Sequence, residues 1–336
     1  MLNSKNECFI IAEAGVNHNG SIELAKKLVD AAVEAGADAV KFQTFKAEDL
    51  VTKDAEMAEY QEKNTGKGTS QLEMLKELEL SDRHFEELKS YCDGKGILFL
   101  STPHTAEAVD VLDKLVPAFK VASGDITNIP LLKRIAEKGK LVILSTGMST
   151  LDEVKEAIDA LRGCEVILLH CTTSYPCPRQ DVNLRAMKTL AKETGLKVGY
   201  SDHTEGIFVS IAAAVLGAQV VEKHMTLDKS MPGPDHKASL EPGEFKEMVS
   251  TIREVRTMLG NADKRPTAAE REILKVARKS IAAARNIGKG QQITALDMAI
   301  KRPGTGIAPA AYTKLLGKIA VRNIRKDEII TWEMVK

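Results

Sequence analysis

The feature that most restricts the fold of this chain is an eightfold alternation of short apolar runs and amphipathic stretches between Cys8 and about Gly260. The strand candidates are Phe9–Ala12, Ala39–Gln43, Ile97–Ser101, Phe119–Ala122, Leu141–Leu144, Val166–His170, Lys197–Tyr200 and Gln219–Glu222. Helical candidates such as Ser21–Ala35, Ser81–Lys95, Thr105–Leu115, Leu151–Leu161, Asn183–Thr194 and Gly206–Leu216 lie between them, and Pro242–Leu259 follows the last. Eight βα units within about 250 residues predict an α/β fold of the (β/α)8 TIM-barrel type. A doubly wound sheet is the competitor, but it needs no eighth unit, and no G-x-G-x-x-G follows the first strand.

Every strand candidate runs into polar residues at its carboxyl end. In order these are Glu13; Lys41 and Gln43; Ser101 and Thr102; Lys120 and Ser123; Ser145 and Thr146; His170, Thr172 and Thr173; His203; and Glu222 with His224. Barrel enzymes place their chemistry on that rim. The stretch Val198–His236 is the densest part: VGYSDH, a helical run, VVEKH, then MPGPDH. If both strands belong to one parallel sheet, His203 and His224 meet at one mouth. Glu222 shares a strand face with His224. Imidazole plus carboxylate is a ligand set for a divalent transition metal. Taken singly, each histidine reads as a strand-end hydrogen-bonding group.

Lys41 in AVKFQTF and Lys120 in AFKVAS are flanked by apolar residues. A strand lysine is costly to bury unless it meets an anion or a carboxylate. With the hydroxyls of Thr102, Ser123 and Ser201 nearby, the two ammonium groups suit a phosphate and a carboxylate; the alternative pairs them with Glu13 or Glu222. Lys223 alternates with Glu222 and His224, so it should point away from the interior. His170 and Cys171 face opposite ways on a regular strand, which argues against a thiol–imidazole dyad. Asp235 and His236 follow a Pro-Gly-Pro turn, from which one of them is expected to reach a substrate.

The connection from Thr44 to about Leu80 is long enough to be a lid or binding loop, with a surface insertion as the equal alternative. After Leu259 the charged stretch to Ala277 reads as a linker, giving a barrel over 1–260, a linker over 261–277 and a small β-rich domain over 278–336. The last part repeats the frame N-I-x-K-x3-I-T at Asn286–Thr294 and Asn323–Thr331, which suggests two related β-turn units. Between them, KRPGTGIAP presents Arg302.

Lys+Arg and Asp+Glu are both 47, so no overall field recommends nucleic acid or an anionic membrane as a partner. The five cysteines are odd in number and form no CxxC pair, which suggests reduced thiols in a cytoplasmic protein. The start MLNSKNECFIIAEAG lacks a signal-peptide core, and no apolar run reaches membrane-spanning length.

The motifs IIAEAGVNHNG, AVKFQTFKAEDL, FKVASGD, HCTTSYP, GYSDHTEG and EKHMTLDKSMPGPDHKASLEP together resemble the sialic acid synthase family. The tail from RKSIAAARNIGKG through RPGTGI to LLGKIAV resembles that family's carboxy-terminal antifreeze-like SAF domain. The resemblance implies condensation of phosphoenolpyruvate with an open-chain N-acylated hexosamine, giving a nine-carbon 2-keto acid and phosphate. It implies a divalent cation, manganese first and magnesium or cobalt next, and a domain-swapped homodimer. Carried over by position, it assigns the metal to His203 and His224, which join Glu13, the acid near the reacting carbons, as the catalytic set. It assigns phosphoenolpyruvate contacts to Lys41, Thr102, Lys120, Ser123 and Ser201. Gln43, Asp125, Thr173, Tyr175 and Asp235 fall at the sugar, and Arg302 is lent by the partner subunit to the acyl group.

Many bacterial relatives have Phe at His104, Glu at Asp125 and Asn at Thr173, and Cys177 and Arg179 also depart from the usual choices. These positions surround the sugar site, so the acceptor is left open. N-acetylmannosamine, making the chain an N-acetylneuraminate synthase, is the first expectation on family prevalence. A legionaminic acid synthase using 2,4-diacetamido-2,4,6-trideoxymannose, or an enzyme taking a 6-phosphate sugar, is the alternative. Two rivals differ in kind: a Schiff-base aldolase with Lys120 or Lys41 as nucleophile, and a silent sugar-binding protein.

Overall fold

The computed structural model describes residues 8–65 and 70–336. The first seven residues of the amino-terminal stretch and residues 66–69 of the long connection lie outside the described residues. Eight parallel strands form one sheet: β1 (Phe9–Gly15), β2 (Ala39–Thr44), β3 (Leu98–Pro103), β4 (Ala118–Val121), β5 (Leu141–Ser145), β6 (Val166–Cys171), β7 (Lys197–Asp202) and β8 (Val220–His224). Their hydrogen-bonded order is β3-β2-β1-β8-β7-β6-β5-β4, and β3 lies against β4. The expected (β/α)8 barrel is what the chain forms.

Both faces of each strand are covered, which is why the strands read as nearly continuous apolar runs. Side chains of one phase pack outward with the helices in the large core, among them Ile10, Val40, Phe99, Phe119, Val142, Leu168 and Val221. The opposite phase points inward. Phe9, Ile11, Ala39, Leu100, Ala118, Ile143, Ile167, Leu169 and Val220 form a separate apolar cluster that fills the base of the barrel.

Several strands run further than their apolar residues suggested. β1 continues to Gly15, β3 to Pro103, β7 to Asp202 and β8 to His224. The parallel ladder pairs backbones, so Glu13 still aligns with Lys41 on one side and His224 on the other. The helices start where the caps stand: Ser21 Oγ accepts from Leu24 N, and Ser81 and Thr150 form capping boxes. One helix, Ile129–Ala136, has no counterpart among the expected elements. Ile-Pro at its start reads as a turn in sequence. In the structure Asn128 caps it and Pro130 takes a first-turn position, where a missing N–H costs nothing.

The long second connection is ordered into short helices at Ala47–Leu50, Glu59–Thr65 and Gln71–Glu77. Phe45, Met74 and Leu78 join Val16 in a small apolar cluster beneath it. Asn64 Nδ2 donates to Pro234 O at 2.7 Å, and the Tyr60 ring stacks on Tyr175 at 5.2 Å. Both contacts bring this connection to the site's edge.

The chain divides into two compact units, the residues up to Gly260 and Asn261–Lys336. In the second, a helix spans Ala268–Ala277, and β9 (Ser280–Ala283) pairs antiparallel with β10 (Met298–Lys301). The sequence echo has a structural cause. Ile287 and Ile324 exchange both backbone hydrogen bonds at 2.9 Å. Asn323 Oδ1 accepts from Lys289 N, and Asn286 Oδ1 from Lys326 N, each at 2.8 Å. Each asparagine thus holds the turn of the other repeat.

Candidate active site

The inward phase of the strands climbs in steps of two residues. Ile11 leads to Glu13, Ala39 to Lys41 and then Gln43, Leu100 to Thr102, Ala118 to Lys120, Ile143 to Ser145, Leu169 to Cys171 and then Thr173. Ser201 is followed by His203, and Val220 by Glu222 and His224. The barrel interior is therefore layered: an apolar base, a charged and hydroxylic middle, and a rim of imidazole, amide and hydroxyl groups. A cavity of about 110 Å³ opens over the middle layer.

Two lysines and two glutamates occupy the middle layer. Lys41 Nζ lies 2.8 Å from Glu13, 3.7 Å from Glu222 and 3.0 Å from Thr102 Oγ1. Lys120 Nζ donates to Ser145 Oγ at 2.8 Å and to its neighbour's carbonyl, with Glu222 at 3.5 Å. Ser201 donates to Glu222 at 2.9 Å. Burial opposes charge on Lys41, but the two carboxylates outweigh it and its pKa is raised. Lys120 is lowered by burial, to which Lys41 adds repulsion. Glu222 is lowered, because Lys120 and Lys41 overcome its burial. Glu13 is raised, chiefly by burial, with Glu222 adding to it. Of the two carboxylates, Glu13 is thus the one more ready to hold a proton.

At the rim, His203 Nδ1 lies 2.9 Å from Thr172 O, so it carries the hydrogen and donates to that carbonyl. Nε2 is left with its lone pair, 3.1 Å from Tyr175 Oη. The His203 and His224 rings lie 5.6 Å apart, with Tyr175 against both. His224 Nδ1 is buried without a hydrogen-bond partner, the carboxylate of Asp235 being 3.9 Å away. Burial lowers both imidazole pKa values, which favours the neutral, ligating form.

Two neutral imidazoles, one with its tautomer fixed by a carbonyl, fit a divalent cation. Among the described residues no group of three His, Cys, Asp or Glu could hold a metal. Any cation held here would have only these two imidazole nitrogens from the described residues. Of the two roles that the sequence offered Glu222, its carboxylate takes the pairing with the lysines and accepts from Ser201.

Glu13, Lys41, Gln43, Thr102, Lys120, Ser123, Thr173, Tyr175, Ser201, His203 and His224 all line the one cavity. Asp125, Asp235 and Arg302 do not. Asp125 stands behind His104, with Oδ2 3.1 Å from its Nδ1. Asp235 is buried near His224, and burial, with Glu13 adding to it, pushes its carboxyl up to about 7. Arg302 is exposed in the loop after β10, in the second unit. Also on the wall are Ser145 and Glu222, offered by the strand ends, His104, offered among the positions around the sugar, and Cys171, which was not expected there. The two-residue phase from Leu169 would have found Cys171. Lys223 points outward as expected and is fully buried against Asp202 at 3.1 Å. His236 is taken up by Thr226 and Asn19.

The NeuB family profile matches residues 28–264, and the SAF domain profile residues 278–336. This chain belongs to the NeuB family. It is 48% identical over 341 residues to the N,N'-diacetyllegionaminic acid synthase of Legionella pneumophila, covering 99% of this chain and 96% of that one. The enzyme of the same name from Campylobacter jejuni is 48% identical over 327 residues, covering 96% and 98%. Among solved structures, the N-acetylneuraminic acid synthetase of Leptospira borgpetersenii superposes with a TM-score of 0.71 at 35% identity, covering 81% of this chain and 91% of that one. This NeuB chain is an enzyme of the sialic acid synthase type, and its carboxy-terminal unit is a SAF domain. No helix among its described residues is long and apolar enough to cross a membrane.

One position against the wall of this NeuB cavity has no room for a side chain. A Cβ on Gly147 would stand 2.3 Å from Thr173 Oγ1, 2.7 Å from Ser123 Oγ and 2.8 Å from Cys171 Sγ. Gly147 N also donates to Ser123 Oγ at 3.0 Å. The variant Gly147→Ala should displace Ser123 and, if Ser123 holds a substrate as the motifs imply, raise that substrate's KM by about tenfold for one lost hydrogen bond. Steady-state kinetics with each substrate varied in turn would check this; an unchanged pair of KM values would mean that the wall yields freely.

Proposed function

We propose that this cavity joins phosphoenolpyruvate to the aldehyde carbon of 2,4-diacetamido-2,4,6-trideoxymannose, giving a nine-carbon 2-keto acid of the legionaminic type and phosphate. The observation that carries the reaction class is the meeting of Lys41 and Lys120 with two neutral imidazoles in one cavity. The choice of acceptor is supported by the two relatives at 48% identity over nearly the whole chain. N-acetylmannosamine, the first expectation from the motifs, becomes the second acceptor, favoured by the structural likeness to the Leptospira enzyme.

Lys41 and Lys120 hold the donor's phosphate and carboxylate, and Thr102, Ser123 and Ser201 donate hydroxyl hydrogens to the same oxygens. The lysines' charges are partly met by glutamates before any donor arrives. A proton on Glu13 frees Lys41 for the incoming anion, and the raised pKa of Glu13 suits that exchange. Held so, the enol's C3 faces the acceptor aldehyde, and alignment of this kind contributes roughly 7–11 kcal/mol when good. The C–C bond forms from the enol's electron pair, leaving positive character at C2. The aldehyde oxygen takes the proton that Glu13 held; water then adds at C2 and passes a proton to the freed Glu13 carboxylate, and the tetrahedral adduct expels phosphate by C–O cleavage, its hydroxyl proton leaving with the phosphate.

A divalent cation held by His203 and His224, manganese before magnesium or cobalt, would supply Lewis-acid polarisation of the aldehyde, worth several kcal/mol in metal enzymes. We place the SAF domain of one protomer over the partner's barrel in a homodimer, where Arg302 meets the acceptor's acyl group. Arg302→Ala should then raise the acceptor's KM more than that of phosphoenolpyruvate; equal changes in both would remove Arg302 from that role.

The test of the reading is phosphate release with the diacetamido sugar, N-acetylmannosamine and its 6-phosphate offered side by side. The first should give the highest kcat/KM. A Schiff-base aldolase would instead be trapped by borohydride with pyruvate and would ignore chelators, and a silent binding protein would release no phosphate.

A further inference from the structure

The loop-end pair His104 and Asp125 has no part in holding the donor, yet it is built with care. His104 follows β3 directly, and its N–H still bonds to Thr44 O at 3.2 Å, which keeps it in the strand's register. It is the next inward position after Thr102, so it stands roughly 6–7 Å nearer the mouth than the hydroxyl that Lys41 holds. Its ring lines the cavity and rests edge-on to Phe45, with centroids 6.2 Å apart.

Asp125 sets the direction of that ring. Its Oδ2 lies 3.1 Å from His104 Nδ1, and its Oδ1 accepts from Asn128 Nδ2 at 3.1 Å. Asn128 is itself fixed as the cap of the helix Ile129–Ala136. Both carboxylate oxygens are therefore committed away from the cavity. With Nδ1–H given to Asp125, His104 Nε2 keeps its lone pair. It has no hydrogen-bond partner among the described residues.

We infer that His104 Nε2 is a specificity-determining contact for the acceptor sugar, accepting a hydrogen bond from a hydroxyl or acetamido N–H, and that Asp125 acts through His104 as a positioning residue. The inference rests on the proposed reaction and says which end of the cavity the second substrate fills: the donor sits deep among the lysines, and the acceptor reaches up to His104. It changes the part expected of Asp125, from touching the sugar to aiming the ring that does.

The test uses the full-length enzyme with whichever of the three acceptors it turns over best, and compares His104→Ala, Asp125→Ala and the double variant. His104→Ala should raise the acceptor's KM about tenfold, the weight of one hydrogen bond, with the KM of phosphoenolpyruvate and kcat nearly unmoved. Asp125→Ala should move the same parameter in the same direction. The double variant should be no worse than His104→Ala, since neighbours acting through one another are not additive. His104→Gln, which can offer an amide oxygen, should recover part of the loss, and thermal melts control for folding. An unmoved acceptor KM in His104→Ala, or effects that multiply in the double variant, would overturn the pair's role while leaving the reaction standing. A wild-type enzyme that releases no phosphate with any acceptor would overturn both.

Discussion

Alanine at His224 should leave the barrel folded and, with the cation where we propose it, lower turnover by about a thousandfold or more, the loss expected when several kcal/mol of transition-state stabilisation go with a metal ligand. The small effect on folding follows from the ring's surroundings. His224 is buried, and its Nδ1 has no hydrogen-bond partner, so removing it breaks no bond at that atom and relieves an unmet polar group. His203 differs, because Thr172 O and Tyr175 Oη would both lose a partner. Its alanine variant should therefore melt at a lower temperature than His224→Ala while being equally inactive. Manganese binding, followed by titration calorimetry without substrates, should be lost in both. Retained binding with lost activity would move the cation away from the imidazoles.

Lys223→Met is expected to act on the fold and not first on the chemistry. Lys223 and Asp202 have no exposed side-chain surface, and the ammonium also donates to Thr204 O. Removing one member of such a pair typically costs about 3–5 kcal/mol, because the other charge stays buried. Asp202 keeps hydrogen bonds from Thr204 N, Thr204 Oγ1 and Ser210 Oγ, which points to the lower end of that range. The pair joins the strands that carry His203 and His224, so a folded remnant should also lose order at the rim. Urea unfolding of variant and wild type measures the difference; a loss within about 0.5 kcal/mol, usual for a surface change, would show that the pair carries no such weight.

The contrast between Lys223 and its neighbours shows how much of the site was legible beforehand. A two-residue period told inward from outward along β8, and it set Glu222 and His224 apart from Lys223 correctly. The same period placed Lys41 with Gln43, and it would have placed Cys171 had it been followed from the apolar base upward. Sequence could not decide what a buried carboxylate faces. Glu222 was as good a metal ligand as a lysine partner until Lys120, Lys41 and Ser201 were seen around it, all from other strands. Asp125 and Asp235 were hidden for a related reason. Both lie in loops beyond the strands, where no period fixes direction, and only the position of His104 or His224 shows what each touches. The helix Ile129–Ala136 was obscured locally, by a proline that serves at a helix start as well as in a turn.

The most direct measurement is phosphate release from phosphoenolpyruvate, with and without acceptor, before and after chelation and again after manganese is restored. Release should need the acceptor, fall away when the cation is stripped, and return with manganese in the wild type but not in a protein lacking both His203 and His224. Undiminished, acceptor-dependent release from the stripped double variant would contradict the account.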